Sequence, residues 1–475
     1  MAVYNLTRAG LDAFLAGQGA STPSQPEAQA FLDALAAGGG DDINIETGTP
    51  AVVTTTVNAP VVIATSTLGL DLTVFGTAST VITSSGNDTV KLFGAGADTL
   101  YSGAGADTIF GGAGGDSILS GSGDDTVYVA GIGTVVDGGT GSDTIVNFGG
   151  AGNTLSGGAG DDVVFSNEAG LLDGGDGDDI IGNLAGAGAT LLGGAGSDTI
   201  FTYTGGTLDG GAGNDNLIAI GTAATTMIGG AGDDVLDGTN NGVGADSMNA
   251  GTGNDTIYGG AGDTIIAGDG DDLAGGYGAG INFDGGAGND TFYDLSSGGS
   301  SIVGGSGMDT LVNATGVGDT LEGGLGDDTI FSFVSASMDG GAGADTMIYF
   351  GLAPSTLVGG DGNDVLLAEG ATSGTMLDGG AGNDVIYAGF GNDSITGGIG
   401  DDTVFFQNGL FSNDTIVAGD GTDTLRAIGA TSANTSVVDN LNGTFTINFT
   451  GPNAGSTQVS GLEWLALDDT SIRIF

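Results

Sequence analysis

The chain has no cysteine, no histidine, 6 prolines, a single tryptophan and only 4 basic residues among its 475. Each absence closes off a class of chemistry. Without cysteine there are no disulfides and no thiol nucleophile, so any staple beyond the core must come from elsewhere. Without histidine there is no imidazole base and no HExxH zinc motif, and the two absences together remove the usual ligands of zinc, copper and iron. The scarcity of Lys and Arg leaves 59 acidic residues opposed by Arg8, Lys91, Arg426 and Arg473, a formal net charge of −55. A field of that sign repels nucleic acid and anionic membrane. No stretch approaches the ~18 uninterrupted apolar residues of a spanning helix, so membrane insertion is not expected. The opening residues, MAVYNLTRAGLDAFLAGQGA, have neither the basic cluster nor the continuous apolar run of a secretory signal peptide.

What the chain does have is 102 glycines. They follow no three-residue period and prolines are few, which excludes collagen. A hydrophobic content of 39% and a mean hydropathy of +0.21 argue against plain disorder. Self-repulsion opposes a compact state at this acidity unless many cations bind. Carboxylates and backbone carbonyls are hard oxygen donors, which suit Ca²⁺.

Four segments are expected. Residues 1–40 carry apolar positions at helical spacing, Leu11, Phe14 and Leu15, then Phe31, Leu32 and Leu35, and predict two short helices separated by Pro23 and Pro26. Residues 41–85 are β-branched and predict irregular lead-in strands. Residues 86–425 are repetitive, and 426–475 form a β-rich C-terminal cap.

The repeat is nine residues long: GAGADTLYS, GAGADTIFG, GAGGDSILS and GSGDDTVYV follow one another almost without a break. It resembles the Gly-Gly-x-Gly-x-Asp-x-apolar-x nonapeptide of the RTX, or haemolysin-type calcium-binding, repeat family. That resemblance implies an all-β fold, a parallel β-roll or β-helix solenoid with stacked calcium-binding loops. Further along, the second glycine of the motif falls at Gly139, Gly158, Gly175, Gly194, Gly211 and Gly230, with successive differences of 19, 17, 19, 17 and 19. One loop per coil of about two nonapeptides stacks on one edge of the roll, about 4.8 Å from its neighbour. Where motifs come every half coil, at 86–125 and 383–402, both edges are expected to carry ions. The apolar residue two places after each loop aspartate, Leu100, Ile109, Ile118, Val127, Ile145, Val164, Ile181, Ile200, Ile257, Ile330 and Ile395, reads as a buried strand position.

The resemblance also implies the ligands: the aspartate at the sixth position of one loop and the glycine-rich backbone carbonyls of a neighbouring loop. Matching positions here are Asp98, Asp107, Asp116, Asp125, Asp143, Asp162, Asp179, Asp198, Asp215, Asp234, Asp255, Asp272, Asp290, Asp309, Asp328, Asp345, Asp364, Asp384, Asp393 and Asp402. The accompanying glycines are Gly94, Gly96, Gly103, Gly105, Gly112, Gly114, Gly158, Gly160, Gly194, Gly196, Gly211, Gly213, Gly230, Gly232, Gly286, Gly288, Gly341, Gly343, Gly380 and Gly382. On the order of twenty Ca²⁺ ions would remove most of the excess charge. The pattern slips around Gly242–Ser247 and Gly262–Gly270, is shortened at Val317–Asp319, and loses its glycines before Asp414 and Asp423, so these stretches are not expected to bind ions.

No enzyme is read here. Paired acids such as Asp124-Asp125 recur loop after loop, which marks ligands rather than a glycosidase pair. The expectation is a secreted, extracellular or cell-surface structural protein that self-associates into fibres or sheets, as a surface layer or biofilm matrix fibre. An adhesin holding cell-surface polysaccharide is the alternative. The resemblance implies type I secretion, with GLEWLALDDTSIRIF as terminal cap and uncleaved signal. Self-association is reasoned from the unpaired strand edges at the ends of a roll.

Overall fold

The computed structural model describes residues 45–47, 52–55, 61–65 and 69–473, the last with breaks at 76–77, 84, 240–243, 369, 373, 408–412, 429–431, 433–434, 441–443, 451–454 and 468–469. The two helices expected between Leu11 and Ala37 lie outside the described residues. Among the described residues no helix is long and apolar enough to cross a membrane. The chain divides into two compact units, Met1–Val235 and Leu236–Phe475, and each is an all-β parallel solenoid.

In the first unit a coil runs as strand, turn, strand, turn. The strand Asn153–Ala159 belongs to a first sheet, residues 160–162 turn, Val163–Ser166 belongs to a second sheet, and the chain returns to the first sheet at Gly170–Asp176. Like residues stack because each coil repeats the last. Leu155 stands opposite Leu172, and Leu191 opposite Leu208, in the first sheet; Ile145, Val164, Ile181 and Ile200 form one continuous row in the second. All eight are fully buried. Strands at Ile45–Thr47, Val61–Thr65 and Thr80–Ile82 pair in parallel and lead into Thr99–Ala104.

In most strands the inward positions flanking the apolar residue are small or polar, so the core there is one large side chain wide; Leu72 with Val74, Val90 with Leu92, Val127 with Val129 and Met347 with Tyr349 make it wider locally. Such a coil buries too little to stand alone, and its stability comes from stacked neighbours. The expected buried series holds: Leu100, Ile109, Ile118, Val127, Ile145, Val164, Ile181 and Ile200, with Ile257, Ile330 and Ile395 in the second unit, are all between 0% and 2% exposed.

The second unit repeats the plan from Ser247–Thr252 and Thr256–Gly259 onward. Its core adjusts locally. Ala274 leaves room that Phe292 of the next coil fills, stacking on Phe283 at 4.4 Å. Near its end Gly455–Ser460 pairs in parallel with Thr415–Asp420. It also pairs antiparallel with Thr444–Phe449, which in turn pairs with Thr435–Asp439. Trp464–Ala466 likewise adds to Thr424–Ile428 and folds back on Ser471–Arg473.

Candidate metal centre

Each roll has two edges. Turns leading from the first sheet to the second form the first edge, and turns leading back form the second. In the first unit Asp107, Asp125, Asp143, Asp162, Asp179, Asp198, Asp215 and Asp234 stand on the first edge, and Asp98 and Asp116 on the second. In the second unit Asp255, Asp272, Asp290, Asp309, Asp328, Asp345, Asp364, Asp384 and Asp402 stand on the first edge, and Asp393 on the second. All are between 0% and 3% exposed.

The first-edge aspartates are tied together by the backbone. Asp198 Oδ1 accepts the backbone N–H of Asp179 at 2.7 Å, Asp179 Oδ1 that of Asp162 at 2.7 Å, and Asp215 Oδ1 that of Asp198 at 2.8 Å. The second unit repeats this at 2.8 Å from Asp309 to Asp328, Asp345 and Asp364. One carboxylate oxygen is thereby satisfied. The other is not: Oδ2 of Asp107, Asp125, Asp143, Asp162, Asp179, Asp198 and Asp215, and of Asp272, Asp290, Asp309, Asp328, Asp345, Asp364, Asp384 and Asp402, is buried with no hydrogen-bond donor.

A buried, undonated carboxylate oxygen is costly, and among the described residues the ion pair formed is that of Lys91 with Asp71, not with these carboxylates. Burial pushes the Asp162, Asp179, Asp272, Asp328 and Asp364 carboxyls up to about 7 and Asp125 up to about 8, against an ordinary 3.8. The N–H of the preceding aspartate pulls the other way, and neighbouring carboxylates add to the rise.

The glycines supply the rest of a cation cradle. A methyl group placed on Gly193 would collide with both Asp198 Oδ2 and the carbonyl oxygen of Gly210 one coil on. The same convergence recurs at Gly210 with Asp215 and Gly229, and at Gly323 with Asp328 and Gly340. Carboxylate and carbonyl oxygens thus surround one small space per coil, an all-oxygen donor set that fits Ca²⁺. The next glycine shapes the loop. Gly194 has φ +115°, a conformation L side chains rarely adopt, and its α-carbon packs on the Gly175 carbonyl.

The expected glycines do not all behave alike. Gly103, Gly105, Gly158, Gly160, Gly194, Gly196, Gly211, Gly213, Gly230 and Gly232, and Gly286, Gly288, Gly341, Gly343, Gly380 and Gly382, take positive φ on the first edge. Gly94, Gly96, Gly112 and Gly114 on the second edge do not. There Asp116 is already satisfied, its Oδ2 accepting the Gly112 N–H at 2.8 Å. The nonapeptide recurs every half coil at 94–125, yet its two edges have different backbone geometry.

The ladder also includes Asp88, which the sequence does not single out, and members of the stretches not expected to bind ions. Asp88 accepts the Leu70 N–H at 2.7 Å, and only the short NDTV run marks it. Asp263, Asp414 and Asp423, in the irregular stretches, accept the N–H of Asp246, Asp393 and Asp402 at 2.8, 3.0 and 2.9 Å. Glu463 of the tail ends that row by accepting the Asp423 N–H at 2.7 Å. The slips in spacing near 242–270 are places where the second edge also takes aspartate. The fifth loop position forms an outer ladder in the opposite direction. Asp161 accepts from Asp178, Asp178 from Ser197, Asn214 from Asp233, Asn363 from Asn383 and Asn383 from Asp401, at 2.7–3.0 Å.

That outer ladder separates turn chemistry from metal chemistry. Its bond needs one acceptor oxygen, and asparagine serves as well as aspartate. The sixth position makes an equivalent bond, yet on the first edge it is aspartate from Asp107 to Asp423 without exception. Only on the second edge does asparagine stand in, at Asn153, accepting the Thr134 N–H at 2.9 Å. What asparagine cannot provide is the second anionic oxygen.

Comparison with known sequences agrees with this geometry. The pattern described as the RTX calcium-binding nonapeptide repeat (4 copies) matches residues 94–127, 148–168, 221–241, 240–274, 313–332, 355–372, 373–407 and 408–427. A search of the curated proteins finds no match. The chain carries RTX calcium-binding nonapeptide repeats in multiple copies, folded as a β-roll with stacked aspartate ladders.

Proposed function

We propose that this is an extracellular structural protein that folds on binding on the order of twenty Ca²⁺ ions and then self-associates into a surface layer or biofilm matrix fibre. The observation that carries the calcium part is the row of buried Oδ2 atoms without donors, stacked at strand spacing in a chain of net charge −55. RTX repeats are typical of type I secreted proteins. A chain that stays open in low calcium and closes outside the cell fits that export route. The reading is non-enzymatic, because the paired acids are absorbed by backbone-bonded ladders.

Support for self-association comes from an asymmetry of the two faces. Outward positions of the second sheet carry no acid from Thr89 to Ile218 in the first unit or from Thr256 to Arg426 in the second, the exceptions on this sheet being Asp71 and Asp237. They carry Phe110, Tyr128, Phe165 and Phe201, and Tyr258, Tyr293, Phe331, Tyr387 and Phe405. The first sheet instead presents Asp137, Asp173 and Asp209, and Asp284, Glu322, Asp339 and Asp378. In a chain this acidic, an acid-free apolar face is where a second copy can approach without repulsion. The same aromatics favour an adhesin that stacks on polysaccharide. Many of the rings stack on one another, as at Phe110–Tyr128 (5.2 Å) and Tyr387–Phe405 (4.3 Å), which leaves fewer free faces for a sugar.

A calcium titration read by circular dichroism, particle size and electron microscopy tests the proposal. Structure and long particles appearing together support the matrix reading. Folding without assembly moves the adhesin ahead. Full folding in calcium-free buffer at neutral pH overturns both.

A further inference from the structure

On the second edge, away from the glycine loops, a neutral polar row closes the turns. Asn147, Ser166, Asn183 and Thr202 are in register in the first unit, as are Asn313 and Ser332 in the second. Asn313 shows how the position works: its Oδ1 accepts the Gly316 N–H at 2.9 Å and its Nδ2 donates to the Gly316 carbonyl at 2.8 Å. Both ends of the amide are used within one turn.

One coil earlier, directly in register with Asn313, the residue is Asp294. It is 0% exposed. Its Oδ1 accepts the Ser296 N–H at 2.7 Å, but Oδ2 has no donor. Against it lies Asp319, 1% exposed, its carboxyl in contact with that of Asp294 and approached by the Gly299 backbone; its Oδ1 accepts the Ser300 N–H at 2.8 Å, and its Oδ2 has no well-formed donor. A side chain at 316 would collide with the Asp319 carboxylate, so Gly316 leaves room for it. The hydroxyls of Ser296 and Ser300, both buried, stand 3.1 Å apart in the same turn. Two facing carboxylates in a dry site cannot both stay ionised without a cation between them.

We propose that Asp294, outside the nonapeptide loops, and Asp319, in the shortened loop at Val317–Asp319, form a further Ca²⁺ site on the second edge, with the Ser296 and Ser300 hydroxyls as neutral oxygen donors. The donor set is entirely hard oxygen, as calcium requires, and neither aspartate is the sixth residue of a glycine loop. The inference assumes a calcium-loaded protein but does not depend on the first-edge ladder being complete.

The test is a crystal of the full chain grown in calcium, with anomalous scattering measured at long wavelength, beside native mass spectrometry counting ions. A peak about 2.3–2.6 Å from both Oδ2 atoms is expected. Asp294→Asn should remove that peak and one ion per chain while leaving the first-edge peaks in place; Asn313 shows that the position accepts asparagine. First-edge peaks with nothing between the two carboxyls, their oxygens instead close enough to share a proton, would overturn the site. An unchanged ion count in Asp294→Asn would overturn it too. If no peaks appear on the first edge, the broader calcium reading falls first.

Discussion

If the first-edge carboxylates need a positive partner to be buried, a proton should serve where calcium is withheld. Asp162, Asp179, Asp272, Asp328 and Asp364 are raised by burial from 3.8 to about 7. Ionising each in place without a metal therefore costs about 4 kcal/mol. Three such costs already match the roughly 5–15 kcal/mol by which folded domains are stable. In the unfolded chain these groups titrate near 3.8, so the calcium-free fold holds protons that the unfolded chain has released. Its stability is fully present below ~4, falls progressively as pH rises from there, and the loss is complete once pH passes the folded-state values of ~6–8. Calcium-stripped protein in calcium-free buffer should show β-structure by circular dichroism at about pH 5 and lose it by about pH 8. Adding calcium at the higher pH should restore it. Chelators are best avoided because they weaken as they protonate, and the acid limit should stay above the sequence pI near 4.1, where low net charge favours precipitation. A calcium-free signal that is flat across this range, or that strengthens toward alkaline pH, would refute the account of the ladder.

Asp198→Asn keeps an acceptor for the Asp179 N–H and removes only the charge. It should raise the calcium needed for folding while easing folding without calcium, whereas Asp198→Ala should cost a further ~1–3 kcal/mol in thermal unfolding by orphaning that N–H. Equal behaviour of the two variants in calcium titration would argue that the second oxygen is not a ligand. Gly194→Ala forces a side chain into φ +115° against the Gly175 carbonyl and should cost ~1–3 kcal/mol or more. Gly149→Ala, with nothing within 4 Å of the added carbon, should stay within about 0.5 kcal/mol; denaturant unfolding compares them. Replacing Tyr387 and Phe405 by serine removes a stacked pair that also carries Arg426 at 5.7 Å. Sedimentation should then show reduced assembly with calcium-induced folding retained; assembly at the wild-type level would clear this face of the role.

The repeat made much of the fold legible in advance. A nine-residue period with an apolar residue two places after aspartate is enough to stack Ile145, Val164, Ile181 and Ile200, because each coil returns the same side chain to the same place. The sixth-position carboxylates were legible for the same reason. Less regular members, Asp263, Asp414 and Asp423, were hidden because sequence spacing was the only guide, whereas the ladder bond tolerates separations from 17 to 21 residues. The chain between two rungs can bulge as long as the strands keep their register.

By itself, then, the sequence determined the elements, their period and the hard-oxygen chemistry, since these depend on residue type and local spacing. Tertiary structure alone decided which oxygen of each carboxylate is used by the backbone and which is left for a cation. It also decided that the two edges of one repeat differ in backbone, and that Asp294 and Asp319, 25 residues apart in sequence, come together from turns of successive coils. Those outcomes depend on what the neighbouring coil places against each atom, and a neighbour across a sheet leaves no mark on the local sequence.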